Sequence, residues 1–128
     1  MTDTSTTSIH ALAEWIIVDG GYDGYRAALG LTAELASVGA ADVARAIADE
    51  PAATGDNRLD ALFGALAEHV AFHRDIDAPT WCDGPTRFLR EAWFPVDLPS
   101  VRVRALVSSP ASFWRRGVYI DRSDLDRA

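Results

Sequence analysis

The side chains whose spacing could bind a metal or attack a carbonyl group are His69, His73 and Cys82. The histidines stand one helical turn apart, so on a helix they project from the same side. With Glu68 they form the string EHVAFH, whereas a zinc-protease helix needs HExxH with its glutamate between the two ligands. Cys82 could supply a third ligand across the Asp75–Pro79 turn and His10 a fourth, but nothing in the spacing demands it. A nucleophilic cysteine needs a lowered thiol pKa and a nearby base. His69 or His73 meets that need only if the intervening turn folds back. The ordinary reading is two core or rim histidines and a small, semi-buried cysteine beside Trp81. The carboxylate pairs Asp75/Asp77 and Asp124/Asp126 fall in a turn and a tail, where solvated acids are expected. They lack a cleft that would set two pKa values apart. Gly20-Gly21-Tyr22-Asp23-Gly24 has neither the preceding strand nor the spacing of a phosphate loop. No catalytic residue, cofactor site or metal site is assigned.

The aromatic and arginine residues of the second half are better material for function. Trp81, Phe88, Trp93, Phe94, Phe113 and Trp114 are mostly core, but a small protein rarely buries so many large rings, and Trp, Tyr and Arg are favoured interface anchors. Trp93, Trp114, Arg115, Arg116, Tyr119 and Arg122 are therefore the expected partner-binding residues.

The elements that must position them read as follows. Residues 1–7 form a polar, disordered tail, and Ser8 caps a helix carrying Ile9, Leu12, Ala13, Ile16 and Ile17 that Asp19-Gly20-Gly21 ends. A second helix carries Tyr22 or Tyr25 into Leu29, Leu31 and Leu35, and a third runs from Ala40 to Asp49. Residues 8–50 are thus N-terminal helices, and residues 51–57, rich in proline, glycine and small residues, are a linker. Asn57 is read as the cap of the strongest helix, where Leu59, Leu62, Phe63, Leu66 and Val70 form an i, i+3, i+4, i+7 stripe. Pro85 suits a helix start with Phe88, Leu89, Ala92 and Trp93 on its apolar face and Pro95 as its stop. VRVRALV at 101–107 fits a strand or a helix; Asp97 as cap and Pro99 in the first turn favour helix, with Leu98, Val101, Ala105 and Leu106 on one face. Phe113 and Trp114 lie on a short helix that Gly117 ends. Residues 117–125 read as an extended arm whose Val118 and Ile120 point inward while Tyr119 and Arg122 point outward. Cutting the chain after Gly117 is then expected to abolish partner binding and spare the helices. The fold class is all-α: a small irregular helical bundle with an extended C-terminal arm, residues 58–128 being a helical interaction region.

Composition bounds the function classes. The chain has 128 residues, 48% hydrophobic and 24% charged, which is globular rather than disordered. A single cysteine excludes an intrachain disulfide, and with no signal-peptide pattern or membrane-length apolar run a cytoplasmic location is expected. Net charge is -7, and all of that surplus lies in residues 1–64, where ten acids face three arginines; residues 65–128 hold nine of each. Every basic residue is arginine. An acidic first half argues against a DNA-binding face there, because such binding rests on phosphate neutralisation.

The second half, from TGDNRLDALFGALAEHVAFHRDIDAPTW through RFLREAWFPVDLPSVRVRALVSSPASFWRRGVYIDRSDLDRA, resembles a region of small actinobacterial proteins. That region often follows a helix-turn-helix domain of the phage-repressor type and tends to be encoded beside a nucleotidyltransferase-fold protein of the sort found in abortive-infection toxin pairs. Its most specific pieces here are the Asp60–His69 helix, Phe88-Leu89 to Trp93-Phe94-Pro95, and Arg115-Arg116-Gly117 through Asp121. The resemblance implies antitoxin-like or regulatory work in which the C-terminal region recognises a protein partner, and it brings no catalytic residues. Residues 1–42 are acidic and too short for the helix-turn-helix domain, so direct nucleic-acid contact is not expected. The expectation is a non-catalytic protein-interaction module, with a nucleotidyltransferase-fold toxin as partner, a homodimer as a further state, and no membrane association. The alternatives are a DNA-binding dimeric regulator and a metal or thiol enzyme using His69, His73 and Cys82.

Overall fold

The computed structural model describes residues 8–19 and 23–127. The tail at residues 1–7, the Gly20-Gly21 helix stop and Tyr22 lie outside the described residues. Among those described, seven α-helices and two 3-10 turns form an all-α, irregular bundle without a sheet.

Short polar residues set the starts of the early helices. Ser8 Oγ accepts from the Ala11 amide at 3.0 Å and opens α1, Ile9–Asp19. Asp23 accepts from the Arg26 amide at 3.1 Å and opens α2, Gly24–Ala36. The third helix, α3, Ala40–Ala48, buries Val43, Ala46 and Ile47. The central helix, α4, spans Asn57–His73, and Asp56 caps it instead of Asn57 by accepting from the Arg58 and Leu59 amides at 2.8 and 3.4 Å. Asn57 is its first helical residue.

Of the expected stripe, Leu62, Phe63, Leu66 and Val70 are buried, and Leu59 packs at the edge of the core. Burial extends all round the middle of α4, from Asp60 to Ala67, because neighbours cover every side. Small residues (Ala61, Gly64, Ala65, Ala67) allow those neighbours to approach. The segment between α3 and α4 is held as part of one body: Pro51 is buried, and Thr54 donates from its amide and hydroxyl to Asp60 at 3.0 and 2.9 Å. One core therefore runs from Ile9 to Leu125 across the 51–57 connection.

Beyond α4 the structure corrects two readings. The helix expected from Pro85 through Trp93 is confined to a 3-10 turn, Pro85–Arg87, preceded by another at Thr80–Asp83. The backbone from Phe88 onward is drawn out because it finds partners elsewhere. Leu89 donates to the Arg116 carbonyl at 2.9 Å, Trp93 to Gly117 at 2.8 Å, and the Tyr119 amide to Trp93 at 2.9 Å. Trp93 and Val118 thus make a single parallel bridge. The second correction concerns the arm. Gly117, at φ +85°, releases the chain as expected, but only about four residues are extended before α7, Arg122–Arg127. Asp121 starts that helix by accepting from the Ser123 amide and hydroxyl at 3.0 and 2.9 Å.

Segment 101–107 is helical, within α5, Pro99–Ser108; Leu98 stands at its cap position and Asp97 instead pairs with Arg102 at 3.4 Å. Then follows α6, Ala111–Trp114, with Phe113 buried.

Val118 and Ile120 point inward, at 0% and 2% exposure, while Arg122 is exposed and Tyr119 half-buried. The arm's backbone needs no outside sheet edge. Val118 donates to the Phe113 carbonyl at 3.0 Å and Ile120 to Ser109 Oγ at 2.9 Å. Cutting after Gly117 removes these inward side chains and Leu125 as well. At about 1.5–3 kcal/mol for each large apolar side chain, that is a large share of a small domain's stability of about 5–15 kcal/mol. The truncated protein should lose cooperative thermal unfolding by circular dichroism. A truncated chain that melts like the full one would contradict this placement of the arm.

Candidate interaction surface

Two arginines organise the second half from inside. Arg116 is 0% exposed and Arg87 is 2% exposed. Both lie against Gly64 on α4, where an added Cβ would stand 3.0 Å from Arg87 Cβ and 3.2 Å from Arg116 Nε. Arg116 donates to the Cys82 carbonyl at 2.8 Å and the Ser112 carbonyl at 2.9 Å, pairs with Glu68, and lies over the Phe88 ring at 4.9 Å. Arg87 donates to the carbonyls of Asp60 and Pro51, each at 3.1 Å, and to Glu50 at 2.9 Å, under Trp81 at 4.9 Å. Buried guanidinium groups persist only when paired and hydrogen-bonded in this way.

Arg116 is therefore a core residue and is corrected as a partner contact: its charge is spent inside. Its neighbour Arg115 is half-exposed and bidentate to Glu68 at 2.8 Å, with Asp83 at 3.9 Å. Trp93 is half-buried, edge-on to Tyr25 at 6.4 Å, with Arg58 over its ring at 5.7 Å. Tyr119 stacks on Phe94 at 5.2 Å. Arg122 is exposed and donates from Nε to the Ser108 carbonyl at 3.2 Å. Of the predicted aromatic anchors only Trp114 is largely open, at 51%.

Helix α5 exposes a cluster of large apolar side chains, one of several such patches among the described residues. On α5 the side turned to the body is Val101, Ala105 and Ser108, and Arg104, itself exposed, reaches across from its edge to the buried Asp121. Arg104 Nε binds Asp121 at 2.8 Å, Ala105 is buried, and Ser108 Oγ accepts from the Arg122 amide at 3.1 Å. Arg102 lies over Phe94 at 4.3 Å. These polar anchors set the rotation of the helix and leave Val103, Leu106 and Val107 outward, at 62%, 60% and 84% exposure. The expected apolar face of Leu98, Val101, Ala105 and Leu106 is thus split, with Leu98 and Leu106 open to solvent. The i, i+3, i+4 spacing of Val103, Leu106 and Val107 was readable; the inward pull of Arg104 on Asp121 was not.

The chemistry-bearing residues do not assemble. His69 and His73 are ring neighbours, 4.3 Å apart edge-to-face, and His69 also meets Phe113 at 5.6 Å. His10 Nδ1 is on the Glu50 carbonyl at 3.0 Å. Among the described residues no three histidine, cysteine, aspartate or glutamate side chains are grouped to hold a metal ion. Cys82 is buried, and burial pushes its thiol up to about 12 against the opposing pull of Arg116. A thiol held there is protonated, which works against its use as a nucleophile.

Two carboxylates paired with arginines, Glu68 and Asp121, are held low. Burial pushes the Glu68 carboxyl up, but its bonds and charge contacts to Arg116 and Arg115 outweigh that and lower it below its ordinary value. Asp121 is lowered to about 2, chiefly by its hydrogen bond from Arg104 and then by the Ser123 amide. A depressed carboxylate contributes stability above its unfolded pKa and loses it as pH falls through the folded one. Acid titration should therefore erode stability from about pH 4 downward to about 2, the folded value for Asp121, read as a falling melting temperature. Asp121→Asn should remove part of that slope and lower the neutral-pH melting temperature. A slope unchanged in the variant would contradict the assignment.

Gly64→Ala gains about 1 kcal/mol of helix propensity. It also places a methyl group against two arginines whose hydrogen bonds leave them nowhere to go, an overpacking cost of about 1–3 kcal/mol. Net destabilisation in chemical denaturation is expected; a net gain would show that the arginines can shift.

Comparison with protein families, curated proteins and solved structures gave no match, so the functional reading is carried by the residues described above.

Proposed function

We propose that this protein is a non-catalytic helical interaction module that docks a protein partner through the outward face of α5. The observation that carries this reading is the exposure of Val103, Leu106 and Val107 on one side of α5, with the other side anchored by Arg104, Ala105 and Ser108. Apolar residues at i, i+3 and i+4 are the anchors by which a helix seats in a partner's groove. Each is worth about 1.5–3 kcal/mol when fully covered. Three such residues offset a substantial part of the association cost of about 4–15 kcal/mol. Trp114 on the next helix, at 51% exposure, is the open aromatic that could add to this contact.

The resemblance of the second half to antitoxin-like proteins supplies the class of partner, an enzyme of nucleotidyltransferase fold. The acidic first half, with its surplus of seven negative charges, suits a partner whose nucleotide entrance is basic. The docking element is α5 and not the arm, because the arm's backbone is already bonded within the chain.

Co-expression with the product of the adjacent gene, followed by size-exclusion chromatography, tests this directly. A co-eluting complex is expected at micromolar concentration for the unaltered chain. Leu106→Asp combined with Val107→Asp should weaken it at least about a hundredfold, roughly the loss of one or two buried side chains. Both residues are exposed, so the melting temperature of the variant should stay unchanged. Separate peaks for the unaltered proteins, or full binding by the double variant, would overturn the proposal.

A further inference from the structure

Acids outnumber arginines in this chain, and nearly every arginine whose side chain is described is already engaged. Some pair with carboxylates, as Arg26 does with Asp23, Arg102 with Asp97 and Arg104 with Asp121. Others donate to backbone carbonyls, as Arg74 and Arg122 do. Two exposed arginines, Arg58 and Arg90, have neither kind of acceptor among the described residues. Both line one cavity, of about 470 Å³, between the first turn of α4 and the segment from Pro85 to Ala92.

Arg58 lies with its guanidinium over the Trp93 ring at 5.7 Å, a contact that holds the plane of the group and leaves its N–H edge for a ligand. The acid nearest to it in sequence, Asp56, is turned to the amides that open α4. Glu91 is the one carboxylate among the residues lining the cavity. Two guanidinium groups, which stay charged at any working pH, against one carboxylate leave a surplus of about one positive charge. Asn57 and Thr86 add an amide and a hydroxyl to the lining. Pro85, Phe88, Leu89 and Ala92 give it an apolar side next to the cations.

We propose that this cavity binds a small monocarboxylate carrying an apolar ring. The two oxygens of a carboxylate match the planar donor fork of a guanidinium, and Arg58 and Arg90 supply that fork. A single negative charge cancels the surplus. A phosphate monoester, at about -1.5 to -2, exceeds it and sets the excess against Glu91. The ring of the ligand lies against Phe88, Leu89 and Ala92. The volume falls within the range of small-ligand sites, about 300–1,000 Å³. The cavity shares no residue with the α5 surface and stands or falls independently of it.

The test is an NMR titration that follows the Nε–H signals of Arg58 and Arg90 and the Ala92 amide, at neutral pH and constant ionic strength. The probes are benzoate, acetate and phenyl phosphate, with uncharged benzamide and sodium chloride as controls. Saturable shifts with benzoate are expected, at a dissociation constant of roughly 1 mM, with the other probes weaker. Arg58→Gln and Arg90→Gln should each weaken benzoate about threefold, and Glu91→Gln should tighten it by a similar factor. Should Arg58→Gln disturb the Trp93 contact and lower the melting temperature, Arg90→Gln and Glu91→Gln decide. Linear shifts matching those from chloride, or unchanged affinity in Arg90→Gln, would overturn the proposal. Acetate binding as tightly as benzoate would overturn the ring assignment. Phenyl phosphate binding more tightly than benzoate would overturn the choice of a carboxylate.

Discussion

The structure depends on the close approach of Arg87 and Arg116 to the α4 backbone at Gly64. A guanidinium inside a protein has to find acceptors for a planar fork of donors. Here those acceptors belong to segments far apart in sequence: the carbonyls of Pro51, Asp60, Cys82 and Ser112, and the carboxylates of Glu50 and Glu68. Between them the two arginines tie the loop before α4, the 3-10 turns after it and the C-terminal segment to one helix. Meeting those demands is what makes the irregular region between Pro79 and Leu98 a defined structure despite its scarcity of regular elements.

That arrangement carries a cost as well as a constraint. The Nε atoms of both arginines have no hydrogen-bond partner, and that of Arg116 faces the helix at Gly64, where backbone acceptors are already used. A buried, unsatisfied polar group costs about 1–3 kcal/mol. The stacking of Phe88 and Trp81 on the two guanidinium faces offsets part of it. Buried ion pairs of this sort are weak sources of net stability, but removing one partner is severe because the other is left charged and enclosed. The role of Arg87 and Arg116 is thus to specify which loop lies where.

With Arg116 and most of Trp93 and Tyr119 committed internally, α5 is one of the places where large apolar side chains stay open to solvent. Polar side chains fasten this helix to the body by its inner edge: Arg104 to Asp121, Ser108 to Arg122, Arg102 to Phe94. A helix fastened by polar contacts can leave its larger apolar side chains outside, and α5 does so with Val103, Leu106 and Val107. The same fastening explains why the arm is core. Asp121, Val118 and Ile120 are the residues on which α5 rests, through Arg104 and through Ser109, whose hydroxyl donates to the Val118 carbonyl at 3.3 Å.

By itself the sequence determined the local, periodic part of this protein. The helical class, the stripe of α4, the Ser8 cap, the stop at Gly117 and the inward direction of Val118 and Ile120 all follow from residues within a few positions of one another. Tertiary structure decided whatever depended on distant partners. The segment around Phe88 to Trp93 has an apolar pattern suited to a helix, yet it is extended because Arg116, Gly117 and Tyr119 offer its backbone hydrogen bonds. Arg115 and Arg116 are adjacent and chemically identical, and one is half-exposed while the other is wholly buried. The outward face of α5 was set by an aspartate seventeen residues beyond Arg104. Periodicity reports which side chains can share a face; which face turns inward is settled by where the strongest long-range polar contacts can be satisfied.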